Sequence, residues 1–274
     1  MNVRIRDSVF AQVGQPLASF ERLVKQRDAL PEGPVQAVVM IAYYYPPHNE
    51  IGAARPYRFA RYLRRNDTDV TVICSSDMLR RTTDQQAPAE ADREKPSPQR
   101  VPDVDGTAMA HRLSVVLQAI QRMILPYNDR LGWLPYAYAA GARTLTSRSI
   151  LISSHPPIAT HLTAMALKLR YGRPWIADFR DPLWGNPFRT SRRAAWIDPL
   201  VERLVVSFAD AVIANTIPST EMLCQRYPKL ARKFHTIWNG FDPEDDIRPL
   251  PHATRERRTI SHVGTLYGTR TPVP

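Results

Sequence analysis

AVVMIAYYYPPHNEIGAARPYRFARYL, residues 37–63, decides the fold. Its opening run, up to Tyr45, is apolar or aromatic and carries no charge, which suits a short buried strand. Pro46 and Pro47 end any ladder, because neither can donate a backbone N–H. A small-residue turn follows at Gly52, Ala53 and Ala54. Tyr57, Ala60 and Leu63, with Phe59 beside them, then recur near helical spacing, and Arg58, Arg61, Arg64 and Arg65 fill the other positions. The stretch therefore reads strand, loop, helix, with a glycine at the junction. Free N–H groups and the dipole at a helix start favour an anion such as phosphate; equally, Gly52 can serve only to close the turn. Arg55 falls in the first helical turn, where its charge opposes the dipole, and that misfit favours a ligand contact. Gly52 with Arg55 is the anion-binding candidate.

Working outward, the same alternation repeats. Residues 69–75 (DVTVICS), 149–153 (SILIS), 174–178 (PWIAD), 211–214 (AVIA) and 234–237 (FHTI) read as strands, rich in β-branched residues. Helical patterns lie between them at 158–171, closed by Gly172 as a C-cap, at 194–209, and from Pro218 to Tyr227 with Thr216 or Ser219 as a cap. Strands alternating with helices predict an α/β fold: a Rossmann-like parallel sheet with helices on both faces. Ligands of such sheets sit past the carboxyl ends of the strands. The polar residues at 46–55, 153–157, 178–184, 215–219 and 239–242 all follow predicted strands and would share that rim.

Three stretches break the rhythm. Residues 1–36 mix charge, Pro and Gly, with Leu17, Phe20, Leu23 and Val24 at amphipathic spacing, and read as an extension. Residues from about 77 to 105 are polar and proline-dotted and read as a mobile loop, either a lid or an idle insertion. Leu131, Trp133, Leu134, Tyr136 and Tyr138 form an aromatic patch that is either core or a surface meeting lipid. A further strand at 259–263 leads to a second glycine loop at 264–270 just before the last residue, Pro274, and reads as the start of a second domain. The expected organisation is an extension at 1–36, a Rossmann-like domain at 37–248, and a linker with the first strand of an incomplete domain at 249–274.

Composition narrows the partners. Lys plus Arg number 37 against 26 Asp plus Glu, so the net charge of +11 suits a phosphate-bearing ligand, an anionic membrane surface or nucleic acid. The arginines are dispersed without a dense basic run, which argues against nucleic acid. Two cysteines, Cys74 and Cys224, make no disulfide framework and fit a reducing compartment. The start shows no signal-peptide h-region, and no apolar stretch is long enough to span a bilayer. The expectation is a cytoplasmic protein able to touch the inner face of an anionic membrane. No G-x-G-x-x-G follows a strand, no P-loop motif occurs, and no cluster has metal-ligand spacing, so no metal is expected.

At the predicted rim, His155 could hydrogen-bond a ligand hydroxyl, or simply a loop carbonyl. His161 reads as a helix-surface residue. Asp178, Arg180 and Asp181 form a charged cluster whose carboxylates could bind ligand hydroxyls or act as a base, and whose arginine could pair with phosphate. An internal Asp–Arg pair shaping the loop is the alternative; the combined reading makes Arg180 structural and turns Asp178 or Asp181 to the cleft. Gly240 is read as a position needing positive φ.

PPHNEIGAARPYRFARYL, PWIADFRDPLW, ADAVIANTIPSTEML, HTIWNGFDPEDD and HVGTLYGTRTP, in that order, resemble glycosyltransferase family 4 from about Val38 to Thr271. The resemblance implies a GT-B fold of two Rossmann-like domains, the N-terminal one holding the acceptor and the C-terminal one the nucleotide-sugar. It implies retaining transfer without a bound metal or other cofactor, the nucleotide-sugar being the donor substrate. It places His155 near a polar active-site position and makes Asn239, Gly240 and Asp242 an interdomain turn, with Trp238 where the family usually has proline. Gly264, Tyr267, Gly268 and Arg270 would border the donor diphosphate. The site expected is thus His155, Asp178 and Asp181 as catalytic groups, with Gly52, Arg55, Arg180, Asn239, Gly264, Gly268 and Arg270 binding substrate. The expected function is glycosyl transfer to a cell-envelope or polysaccharide acceptor, sugar or lipid-linked, with this chain a fragment inactive alone. A non-catalytic acceptor-binding module and an unrelated nucleotide-binding α/β protein are the alternatives.

Overall fold

A computed structural model gives the structure of residues 37–47, 51–76, 98–101, 108–125, 127, 129–189 and 191–240. The expected extension at 1–36, most of the 77–105 loop, and everything from 241 onward lie outside these residues. Seven strands form one sheet: β1 (Ala37–Ile41), β2 (Asp69–Ser75), β3 (Pro98–Val101), β4 (Ser149–His155), β5 (Trp175–Phe179), β6 (Ala211–Ala214) and β7 (Phe234–Thr236). Their order is β3-β2-β1-β4-β5-β6-β7 and every pairing is parallel. The helices are α1 (Ile51–Arg64), α2 (Ala108–Ile124), α3 (Leu134–Thr144), α4 (Ile158–Tyr171), α5 (Arg192–Phe208) and α6 (Ile217–Arg226).

Parallel strands covered on both faces bury every side chain, and β4 and β5 are buried throughout. The period of two sorts them into two cores. Val39, Ile41, Leu151, Trp175 and Val212 join residues of α3, α4, α5 and α6 on one face. Val38, Met40, Ile150, Ile152 and Ile213 join Ala60 and Leu63 of α1 on the other. The α/β, Rossmann-like reading therefore holds. The order turns back between β1 and β4, which opens a crevice at their carboxyl ends.

Caps work as the side chains suggest. Thr216 Oγ1 accepts from the amide of Ser219 at 3.2 Å, and Ser191 Oγ from that of Ala194 at 3.1 Å. Gly172 ends α4 in the left-handed region at φ 66°. Cys74, which is buried, and Cys224 form no disulfide.

Three expectations are corrected, and one left open is decided. Residues 98–101 lie inside the stretch read as patternless, yet form β3, held at the sheet edge by backbone pairing with β2; Pro-Gln-Arg-Val carries no apolar alternation to announce it. Of the two readings of the aromatic patch, core is the one that holds, with Leu131, Trp133 and Tyr136 buried. His161 is 1% exposed and faces the sheet from α4. Gly240 has no positive φ, and a Cβ there would meet open space. Among the described residues no helix is long and apolar enough to cross a membrane.

Trp133 is 1% exposed and packs edge-on against Tyr43, whereas Trp196 is 84% exposed. Urea unfolding should therefore show Trp133→Ala losing about 3–5 kcal/mol and Trp196→Ala changing stability by no more than about 0.5 kcal/mol.

Candidate functional site

Asp178 sits one residue before the end of β5, wholly buried, opposite Ser154 of β4. A lone carboxylate there would be costly, so it must be paired. Arg55 of α1 supplies the pairing. Its Nε lies 3.0 and 3.1 Å from the two carboxylate oxygens and its Nη2 2.8 Å from Oδ1. Ser154 Oγ donates to Oδ2 at 2.9 Å. The remaining Arg55 nitrogen, Nη1, donates to Asn239 Oδ1 at 3.0 Å, and the guanidinium lies 4.7 Å from the Phe59 ring centre. One ion pair thus joins the start of α1, the ends of β4 and β5, and the segment after β7.

Arg180 makes a second joint. Its Nε donates to the carbonyl of His155 at 3.0 Å and its Nη1 to the carbonyl of Gly52. The second acceptor has a local cause. Pro56 stands four residues after Gly52 inside α1 and has no N–H, so the Gly52 carbonyl lacks its intrahelical donor. Gly52 is glycine for a related reason: a Cβ there would run into the Arg180 guanidinium. Burial lowers the Arg180 pKa, opposed by the charges of Asp178 and Asp181.

His155, the last residue of β4, is 2% exposed, and neither ring nitrogen has a partner at hydrogen-bond geometry. It stacks on His161 with ring centres 5.5 Å apart and lies beside Phe179. Burial drives its pKa well below 6.5; the charges of His161, Arg180 and Arg189 push the same way, and only the nearby Asp181 backbone opposes them. The imidazole is therefore neutral at neutral pH, with one nitrogen able to donate and the other to accept. Trp175 Nε1 donates to Ser153 Oγ at 2.8 Å, and the same hydroxyl lies 2.7 Å from His161 Nδ1, so Ser153 links the two rings. Burial takes His161 down to about 3.

The structure thus brings Gly52, Arg55, His155, Asp178, Arg180 and Asn239 together at the carboxyl ends of the strands. Asp181 and Asn239 are exposed. Gly264, Gly268 and Arg270 lie outside the described residues. Asp178 does not face a cleft, and its partner is Arg55 rather than the neighbouring Arg180. With its oxygens occupied and no solvent contact, it is a positioning group, and Arg55 is engaged internally rather than open to a phosphate. Sequence reasoning missed Ser154 and the role of Pro56; a proline directly after Arg55 was the available signal. It also missed Arg189, which binds Asp129 and Asp198 through paired contacts of 2.7–3.1 Å. Among the described residues no group of three His, Cys, Asp or Glu side chains is placed to hold a metal ion.

The sequence matches Glycosyltransferase Family 4 over residues 54–245. Similar solved structures include HepE of Anabaena in complex with UDP and glucose, at 14% identity and TM-score 0.42, over 76% of this chain and 45% of that one. Sucrose-phosphate synthase of Thermosynechococcus elongatus aligns at 13% identity and TM-score 0.44, over 75% and 90% of the two chains. The N-terminal domain of Candida albicans trehalose-6-phosphate phosphatase aligns at 11% identity and TM-score 0.47, over 78% and 51%. The chain thus spans under half the length of HepE. No curated protein gives a significant match.

Two outcomes follow from the geometry. Arg55→Ala strands the Asp178 carboxylate and should cost about 3–5 kcal/mol in urea unfolding, more than the paired replacement Arg55→Met with Asp178→Leu. The histidines set a pH trend. Both fold with pKa values below the free 6.5, so their stabilisation is complete above pH 6.5 and declines as pH falls, for His161 until about 3. Below pH 6.5 His161 should contribute a slope of up to about 1.4 kcal/mol per pH unit and His155 one of the same sign, and His161→Asn should remove its share from the measured pH dependence of the unfolding free energy.

Proposed function

This chain belongs to Glycosyltransferase Family 4, and on that premise we propose that the rim of its sheet holds an acceptor to which a glycosyl group is transferred from a nucleotide-sugar. The reading extends to a cell-envelope or polysaccharide acceptor, sugar or lipid-linked, and to retaining transfer without a metal. On this reading residues 37–248 serve the acceptor, and residues 249–274, with Gly264, Gly268 and Arg270, serve the nucleotide-sugar.

The observation that carries the proposal is His155. A buried donor and acceptor left open cost about 1–3 kcal/mol each, and the fold tolerates both at the end of a central strand. A sugar offers several hydroxyls, one able to accept from the protonated ring nitrogen and another to donate to the bare one. Arg180, bonded to the His155 carbonyl, fixes the main chain at the end of β4, and the Arg55–Asp178 pair ties α1 to β5 beside it. The chemistry required of these residues is orientation of the acceptor rather than proton storage, because a neutral imidazole with a depressed pKa is a poor proton reservoir near neutral pH.

The full-length protein, incubated with a panel of labelled nucleotide-sugars and with lipid-linked or oligosaccharide acceptors, is expected to transfer or hydrolyse at least one of them. His155→Leu should lower that rate on the order of tenfold to a hundredfold, the worth of one buried hydrogen bond, while the melting temperature holds. Absence of turnover with every nucleotide-sugar overturns the reading.

A further inference from the structure

Helix α2 is built with its polarity reversed. A surface helix normally turns its apolar stripe inward. Here Leu117 packs against the core in company with the polar Ser114, Gln118 and Gln121. Ser114 Oγ donates to the Gly132 carbonyl at 2.7 Å, Gln118 Nε2 donates to Ser114 Oγ at 3.2 Å, and Gln121 Oε1 accepts from the Leu131 amide at 2.7 Å. The outer side carries Leu113, Val116, Ile120 and Met123 at helical spacing, from 40% to 74% exposed. That stripe runs about 15 Å along the helix.

It does not stop at the end of α2. Arg193, in the first turn of α5, donates to the carbonyl of Met123 at 2.8 Å. One turn further on stands Trp196, 84% exposed, and Leu200, 60% exposed, continues its side of α5. Contiguous apolar surface of this kind marks a contact.

The charges say with what. Helix α2 contains no acidic residue. Helix α5 contains two, Asp198 and Glu202, and both are buried, the first against Arg189 and the second against Arg226. The exposed charged residues of the two helices are then all arginines: Arg112, Arg122, Arg192, Arg193 and Arg203. An apolar stripe whose two helices expose only positively charged residues fits an anionic bilayer. A second copy of the chain would set arginine against arginine across a two-fold contact. A nucleic acid would meet the arginines and leave the aliphatic stripe uncovered.

We propose that α2 and α5 lie on an anionic lipid surface, with Met123 and Trp196 at the centre of the contact. This moves the membrane contact expected from the sequence away from the buried Trp133 patch. It does not depend on the glycosyl-transfer reading, because lipid binding is read without any donor or acceptor.

The test is cosedimentation of the full chain with vesicles of phosphatidylglycerol and phosphatidylcholine, against phosphatidylcholine alone. Binding to the anionic vesicles is expected, weakened by salt and weaker on the neutral ones. Met123→Ser with Trp196→Ser should reduce it about tenfold or more, and Arg112→Gln, Arg122→Gln and Arg192→Gln each by up to about fivefold. Circular dichroism should show the variants folded. The proposal is overturned by no binding to anionic vesicles, by binding that folded variants retain in full, or by variants that change self-association in sedimentation velocity while leaving lipid binding unaltered.

Discussion

The pair between Arg55 and Asp178 is the constraint on which the rim depends. Neither charge can exist where it sits without the other: the arginine is 6% exposed and the carboxylate not at all. Desolvating both is expensive, and the pair is worth its cost only with good geometry and with the leftover hydrogen-bonding capacity used. Here the carboxylate takes both nitrogens of a guanidinium edge and a serine hydroxyl, and the third nitrogen goes to Asn239. Residues 123 positions apart in the chain are thereby held in one arrangement. Apolar packing fixes the layers of the sandwich, but it is indifferent to small slides of a loop. A fork of directional bonds is not.

The same device recurs along the rim. Arg189 sits between Asp129 and Asp198 with its guanidinium 4.6 Å from the Tyr127 ring centre, joining the segment after β5 to the segment after α2 and to α5. Its partners raise its pKa above the ordinary value, while burial raises that of Asp129. Glu202, wholly buried in α5, accepts from the Trp184 amide, Arg226 and the Tyr227 hydroxyl. Part of the basic excess in the composition is therefore spent inside the molecule. Net charge pointed to an anionic partner, but Arg55, Arg180, Arg189 and Arg226 do not supply that charge to the outside.

How much was legible follows from what kind of signal each feature leaves. The strands left continuous β-branched runs, and the helix over 158–171 left a period and a glycine stop, so these stand where the sequence put them. β3 left nothing, because an edge strand paired through its backbone asks little of its side chains. His161 misled because histidine is polar by default, and only the fold supplies Ser153 and Trp175 to accommodate it. The site was legible as a set of loops and illegible as a set of pairs. Asp178 and Arg180 are near in sequence and do not pair. Arg55 and Asp178 are remote and do. Arg180 lies just past the end of β5, and its guanidinium goes to the carbonyls of His155 and Gly52, so nearness along the chain says little about which charges meet.

The proline inside α1 has a consequence for how the rim tolerates change. The bond from Arg180 ends on a main-chain oxygen of Gly52, not on a side chain. No replacement at position 52 can delete that acceptor; it can only crowd it. The vulnerable point is instead Pro56, whose ring withholds the hydrogen that would otherwise claim the same oxygen. Any ordinary residue there would bring a helical N–H into competition with Arg180 for that oxygen and weaken the cross-link between two layers. The tie between the first helix and the fifth strand is thus written as an omission, and evolution could dissolve it by adding an atom rather than by removing one.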